Sequence, residues 1–232
     1  MKFKQYQPEK SNQNQQDRPE IDNRTMKLIV GLIALSLPFL TNYFSPTPLD
    51  SISASYWTEG DWSRNIFVGF LFAIGAFLLS YNGYNDVQRW LSKVAAFAAV
   101  AVAMFPCNCE RQEEIQILSV VHYVSAALMF GILAKFCHIF LVNAWWEKGW
   151  VQARVRALIY AICGLAIVVA ILSMVVDSLM DGGLSQHIDQ FTFYAEAVGL
   201  IAFGIAWLTA SRIVPFITHS EERFRPFQRS KR

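Results

Sequence analysis

The sequence predicts an all-α, polytopic membrane protein built as a bundle of six transmembrane helices. Of its 232 residues, 54% are hydrophobic and only 16% are charged, which is too little charge to cover a soluble domain of that size. The apolar residues also gather in blocks, each close to the roughly 20 residues that a helix needs to cross the hydrocarbon core. A membrane barrel would instead alternate polar and apolar residues along its strands, so the unbroken blocks predict helices.

The predicted segments follow one another along the chain. Residues 1–26 contain a Gln/Asn-rich run and nothing apolar to bury, so they predict a disordered cytoplasmic tail. The bundle is expected over residues 27–212, and a basic cytoplasmic tail over residues 213–232. The six predicted spans are residues 28–44, with a kink at Pro38, and residues 66–84, 90–106, 115–142, 157–176 and 191–210.

Small residues predict where two helices pack closely. Gly69, Ala73, Ala76 and Ser80 recur on one face of the second predicted helix. Close contact between helices in a membrane depends on such residues. This face is therefore expected to meet a neighbouring helix.

The basic residues predict the orientation of the bundle, because short cytoplasmic loops retain Lys and Arg. With the N-terminus inside, all of the 20 Lys and Arg residues except Arg64 and Arg111 fall on the cytoplasmic side. The outer connections are acidic and contain Asp50, Glu59, Asp61, Glu110, Glu113, Glu114, Asp177, Asp181 and Asp189. We therefore expect both termini in the cytoplasm and a bacterial inner (plasma) membrane as the location.

The absence of several common sequence motifs argues against some kinds of ligand and cofactor. The chain has no GxxxxGK[ST] loop, no HExxH pair and no GxGxxG motif, and we expect no cofactor and neither nucleotide nor nucleic acid as a partner. The histidines are divided between two sides, with His122 and His187 on the outer side and His138 and His219 toward the cytoplasm. A zinc or haem site needs its histidine ligands at one depth, so this separation disfavours both.

Cys107 and Cys109 form a closely spaced pair, because they bracket Asn108 directly after the third predicted span. In an oxidising compartment they can form a bridge, although a bridge that closes so small a ring is strained and readily reduced. The alternatives are free thiols, a bridge between two copies of the chain, or metal binding together with His187.

The first outer loop is the most distinctive stretch of the sequence. Its hydroxyl groups lie next to an arginine, and such a set can bind a phosphate or lipid headgroup through charge-assisted hydrogen bonds. The same loop can instead be an ordered lid that caps the bundle. Both interpretations stay open, and the candidate binding residues are Ser51, Ser53, Ser55, Tyr56, Arg64 and Asn65.

His122 and Glu196 are ionisable residues that the predicted spans bury at matching depths. They lie seven and five residues into their spans, which places them about 10 and 8 Å inside at about 1.5 Å per residue. An ionisable group at such a depth normally faces the bundle interior and has a partner. We predict that both line one polar site, which Ser119 and Ser125 extend on the same helix face. They are also the candidate catalytic residues.

Several short motifs resemble a known group of proteins. These motifs are residues 51–57, 64–69, 80–84, 105–106, 122–126, Glu196 and residues 203–207. Over residues 28–212 the chain resembles uncharacterised six-span bacterial membrane proteins and, more distantly, the damage-regulated autophagy modulator (DRAM) family. That broader group includes factors linked to lipid-anchor remodelling and membrane lipid organisation, so the resemblance implies a lipid-associated role. The bacterial relatives often carry an acid where this chain has Asn65, so no ionic role carries over to that position.

Three function classes follow from these observations. A non-enzymatic protein that binds membrane lipid, another membrane protein or a second copy of itself is favoured, because no complete catalytic set is visible. The second class is a membrane-embedded enzyme that acts on lipid, with His122 as acid or base. The third is a small transporter or channel component, which no sequence repeat supports.

Overall fold

The computed structural model describes residues 23–58, 62–83, 85–109, 116–147, 151–180 and 182–218. Six α-helices account for most of them, and each is long and apolar enough to cross a membrane. They are α1 Asn23–Tyr43, α2 Trp62–Ser80, α3 Asp86–Met104, α4 Gln116–Trp146, α5 Val151–Leu179 and α6 Phe191–Ala210. The predicted six-helix transmembrane bundle is confirmed.

The helices run alternately up and down and close into a ring. Each helix packs against its neighbours in the sequence, α1 packs against α6 to close the ring, and α4 also contacts α6. The described parts of the α1–α2, α3–α4 and α5–α6 connections lie at one end, which we call the Ser53 end. The start of α1, the described parts of the α2–α3 and α4–α5 connections and residues 211–218 lie at the other end, which we call the Lys27 end.

Four helices begin before the spans that hydropathy predicts, and α4 and α5 end after them, whereas α2 ends at Ser80, four residues before its predicted end. α1 begins at Asn23, inside the stretch assigned to the disordered tail, and α5 begins at Val151 and ends at Leu179. Hydropathy marks only the residues inside hydrocarbon, whereas backbone hydrogen bonding continues into the polar flanks. The 29 residues of α5 span about 44 Å, more than the roughly 30 Å of a hydrocarbon core.

The segment assigned to the C-terminal tail also starts with ordered residues. Pro215–Ile217 forms a short 3₁₀ helix that packs against α5. The remainder of both predicted tails, residues 1–22 and 219–232, lies outside the described residues.

An aromatic cluster packs α4 and α6 together near the Lys27 end. Trp207 is fully buried, and its ring lies 5.1 Å from Phe203, 5.5 Å from Tyr81, 5.7 Å from Phe136 and 6.3 Å from Phe140, measured between centroids. Because lipid tails are as apolar as the helices, close packing of this kind contributes much of the association between them.

The helices α1 and α6 approach each other closely at two glycines, Gly31 and Gly204. A Cβ atom added at Gly204 would lie 2.6 Å from Leu35 Cγ and 2.9 Å from the carbonyl oxygen of Gly31. The small face expected on α2 does not make this kind of contact, because Gly69 and Ala76 are exposed. The hydrophobic pattern of α2 gave no information on which side of that helix faces the ring.

We expect Gly204→Ala to destabilise the bundle by about 1–3 kcal/mol, since the added methyl group overpacks the contact between α1 and α6. Gly69→Ala is the matched control, because a Cβ atom there meets nothing within 4 Å. Thermal unfolding in detergent should show a clear loss of stability for Gly204→Ala and no loss for Gly69→Ala. Equal losses in both would contradict the α1–α6 contact.

Candidate functional site

Glu196 of α6 binds the connection between α1 and α2. Its Oε2 accepts the backbone N–H of Ile52 at 2.6 Å and of Ser53 at 3.3 Å, and its Oε1 lies 2.9 Å from Ser53 Oγ. One turn earlier, the N–H of Phe193 donates to the carbonyl of Asp50 at 2.9 Å. α6 therefore holds residues 51–58 over the Ser53 end, and we call these residues the lid.

Ser53 joins Glu196 to His122. His122 Nε2 lies 3.2 Å from Ser53 Oγ, and its Nδ1 lies 2.7 Å from the carbonyl oxygen of Phe105 at the end of α3. The imidazole is only 1% exposed. The sequence predicted one polar site for His122 and Glu196, and the structure brings both to Ser53 instead of into direct contact. The resulting chain of four groups links α6, the lid, α4 and α3.

The hydrogen-bond geometry restricts where the protons lie. The Phe105 carbonyl can only accept, so Nδ1 of His122 carries a hydrogen. If the imidazole is neutral, Nε2 accepts from Ser53, and Ser53 in turn accepts from a protonated Glu196. If the imidazole is charged, Nε2 donates to Ser53, which donates to an ionised Glu196. The two states hold the same number of protons, and they interconvert when one proton moves along each hydrogen bond.

The other hydroxyl groups of the lid bind its own backbone. Ser51 Oγ accepts the N–H of Ala54 at 2.9 Å and lies 3.5 Å from Cys109 Sγ, while the Ser55 hydroxyl donates to the Ile52 carbonyl. Serine side chains stabilise tight turns in this way. Ser51 and Ser55 therefore support the lid and do not form a cradle for an external phosphate in this conformation.

Aromatic residues fix the two sides of the lid. The guanidinium carbon of Arg64 in α2 lies 4.6 Å from the centre of the Tyr56 ring, a cation–π contact. Trp57 Nε1 donates to the Cys107 carbonyl at 2.9 Å. Asn65, the remaining candidate in this group, is exposed. Arg64 and Tyr56 thus contribute to the lid's attachment to α2.

Cys107 and Cys109 form a disulfide, which corrects the metal interpretation. A bridged sulfur is not a thiolate and does not serve as the metal ligand considered from the sequence. The third candidate, His187, is exposed, and its Nδ1 lies 2.7 Å from the Gly183 carbonyl. Within the part of the chain that the structure describes, no group of three His, Cys, Asp or Glu side chains can hold a metal ion.

Ser119 and Ser125 flank His122 on α4, as their spacing predicts. Ser119 is 2% exposed and lies one turn from His122. Ser125 is half-buried. What the sequence did not reveal is that Ser53 is the link, since Ser53 and Glu196 are 143 residues apart in the chain. The role of the Phe105 carbonyl could not be predicted from the sequence either, because every residue has a backbone carbonyl.

A small cavity of about 30 Å³ lies beneath the lid. Ser53 and Glu196 meet it on the lid side, and apolar side chains from five helices line the remainder, among them Leu37, Phe67 and Met129. The space equals about one water molecule at roughly 30 Å³ each. The cavity is thus polar at the lid and apolar below it. No family model, curated protein or solved structure matches this chain, so we interpret the site from its own contacts.

Replacing Glu196 should separate the role of its oxygens from the role of its charge. Glu196→Ala leaves the N–H groups of Ile52 and Ser53 without their acceptor, and an unsatisfied buried donor costs about 1–3 kcal/mol. In Glu196→Gln the amide oxygen accepts both N–H groups and the amide nitrogen donates to Ser53, so we expect a loss below about 1 kcal/mol. Thermal unfolding measures both variants. Equal destabilisation would mean that the site requires an ionised carboxylate.

Proposed function

We propose that this integral membrane protein binds membrane lipid without transforming it, and that the lid controls access to the binding cavity. The residues that line the cavity under the lid are the main support for this proposal. Among the described residues that line it, only Ser53 and Glu196 are polar, and both lie at the lid. A lipid has the same division between a polar headgroup region and an apolar chain, and ligand sites commonly combine apolar walls with a few convergent polar groups.

Binding requires the lid to open, because a cavity of about 30 Å³ does not hold an acyl chain. The hydrogen bonds between Glu196 and the lid each contribute a net of only about 0.5–1.5 kcal/mol. A ligand that binds the open form better than the closed form can supply a free energy of this size. On opening, Ser53 and Glu196 would exchange their bonds with each other for bonds with a headgroup.

The orientation in the membrane is also part of the proposal. The distribution of Lys and Arg supports cytoplasmic termini, with the Ser53 end outside a bacterial inner membrane. The lid would then face the outer leaflet. The resemblance to the DRAM family implies a lipid-associated role, which is consistent with the proposed lipid binding under the lid.

One observation favours a second candidate, a membrane-embedded enzyme acting on lipid. Ser53 Oγ is within hydrogen-bond distance of His122 Nε2, and the Phe105 carbonyl fixes the tautomer of the imidazole. A nucleophile, a base and an orienting group are arranged in this way in covalent catalysis. However, the N–H groups of Ile52 and Ser53 already donate to Glu196 and cannot stabilise an oxyanion while the lid is closed. Lipid binding is therefore the better-supported function.

Filling the cavity tests the proposal. Ala126 lines the cavity, whereas its neighbour Ala127 is exposed, so Ala126→Leu and Ala127→Leu form a matched pair. Native mass spectrometry after gentle extraction should show lipid bound to the wild type and to Ala127→Leu. Ala126→Leu should retain about tenfold less, corresponding to about 1.4 kcal/mol of lost affinity. Equal retention in all three proteins would contradict the site.

The enzymatic candidate has its own test. A fluorescent phospholipid incubated with the wild type should remain intact if the protein only binds lipid. Turnover that disappears in Ser53→Ala, at unchanged thermal stability, would replace the binding proposal with the enzymatic one.

Thiol labelling tests the orientation. After mild reduction of intact cells, a membrane-impermeant maleimide should label Cys109, which is exposed at the Ser53 end, and should spare the buried Cys137. The control variant Cys109→Ser should lose most of the label. Labelling that occurs only in disrupted cells would place the Ser53 end in the cytoplasm.

A further inference from the structure

The turn that follows α3 supports the lid in addition to α6. We call residues 105–109 the disulfide turn, because they contain the bridge between Cys107 and Cys109. Trp57 Nε1 donates to the Cys107 carbonyl at 2.9 Å, and Ser51 Oγ lies 3.5 Å from Cys109 Sγ. A bridged sulfur carries no hydrogen, so Ser51 is the donor in this weak contact. The lid therefore contacts the disulfide turn near both of its ends.

The disulfide turn is itself bound to α4. Nδ1 of His122 donates to the Phe105 carbonyl at 2.7 Å, and the N–H of Asn108 donates to the Tyr123 hydroxyl at 3.2 Å. Because the bridge joins residues only two positions apart, it leaves the backbone between them little freedom to rotate. The direction of the backbone groups that bind the lid and α4 therefore depends on the bridge.

The two bridged residues differ in their access to solvent. Cys107 is fully buried, whereas Cys109 is exposed at the Ser53 end. A thiolate that breaks a disulfide must reach one of the two sulfur atoms and displace the other. A thiolate from outside the protein can therefore attack Cys109 Sγ, with the Cys107 sulfur as the leaving group.

We propose that this bridge is a thiol–disulfide exchange site and that its reduction by an external thiol loosens the lid. The first thiolate forms a mixed disulfide with Cys109 while the bond to Cys107 breaks, and Cys107 leaves as a thiolate that takes up a proton. A second thiolate then attacks the sulfur of the first thiol, and Cys109 leaves and takes up a proton. In total, two thiols are oxidised to one disulfide and the bridge is reduced to two thiols.

Reduction acts on the lid through the disulfide turn. Without the bridge, the backbone on either side of Asn108 can rotate, so Trp57 no longer has an acceptor in a fixed position. The hydrogen bonds of Glu196 to Ile52 and Ser53 do not involve the bridge. The lid therefore loosens on its Trp57 side and stays attached to α6. This inference concerns the movement of the lid and does not rest on lipid binding beneath it.

Hydrogen exchange measures the movement. The full-length protein in detergent is compared before and after reduction with dithiothreitol, and we expect amides within residues 54–58 to exchange about threefold faster after it, because one hydrogen bond of the lid is weakened. The internal control is the α5–α6 connection at the same end, where the N–H groups of Leu184 and Ser185 donate to Asp177. Unchanged exchange in the lid, or an equal increase in both segments, would overturn the proposal.

A substitution in the lid tests the connection without reduction. Trp57→Phe removes the donor to the disulfide turn and keeps an aromatic ring, so its lid should exchange about threefold faster while the bridge is intact. Reduction should then add little. The matched control is Trp62→Phe, which changes an exposed indole at the same end and should behave like the wild type. Wild-type exchange in Trp57→Phe would contradict the connection.

The response to reduction must also come from this bridge. The double variant Cys107→Ser, Cys109→Ser should resemble the reduced wild type and should not respond to dithiothreitol. A response in this variant would assign the effect to Cys137 or Cys163 and overturn the proposal. If the double variant does not fold, Trp57→Phe decides.

Single cysteine variants test which sulfur is attacked. With glutathione disulfide, Cys107→Ser should form a mixed disulfide at Cys109 at least about tenfold faster than Cys109→Ser forms one at the buried Cys107, as intact-protein mass spectrometry measures. Equal rates would overturn the assignment. Reduced glutathione and reduced thioredoxin, added to the wild type at equal thiol concentration, distinguish a small thiol from a protein dithiol as the source. If neither reduces the bridge, it is not an exchange site.

Discussion

The arrangement of the Ser53 end depends on the bonds between the Glu196 carboxyl group and the lid. Inside a bilayer, water is not present to satisfy polar groups, so each needs a partner within the protein. Glu196 and the N–H groups of Ile52 and Ser53 satisfy one another. The loop is therefore ordered because a half-buried carboxyl group needs donors, and the carboxyl group is tolerated because the loop supplies them. His122 and the end of α3 join this arrangement through Ser53.

At both ends of the bundle a carboxyl group needs hydrogen-bond partners within the protein, but the partners differ in chemistry. At the Ser53 end, the bonds described for Glu196 come from backbone and hydroxyl groups, so the site can be uncharged and closed. At the Lys27 end, Glu147 is bound by the guanidinium groups of Arg156 and Arg212.

Many residues of the candidate site were predicted from the sequence, but as separate features. His122 and Glu196 were placed at equal depth because a helix rises by a fixed distance per residue. The serines of the first outer loop were singled out for their hydroxyl groups, yet as an independent feature. Their connection through Ser53 was not predictable, since it depends on how α4 and α6 are rotated and on the path of the lid. The bridged state of Cys107 and Cys109 was one of several alternatives, and Lys27 was only one of many basic residues.

The sequence by itself determined the six membrane-spanning helices, because crossing hydrocarbon imposes a length and a composition on each segment separately. It also determined the depth of each polar residue along its own helix. Only the tertiary structure decided which face of each helix points inward, as the contact of Gly31 with Gly204 instead of the exposed Gly69 shows. In a lipid environment nearly every face of a spanning helix is apolar, so hydropathy carries little information about rotation. Pairing between distant residues such as Ser53 and Glu196 arises only when the ring of helices closes.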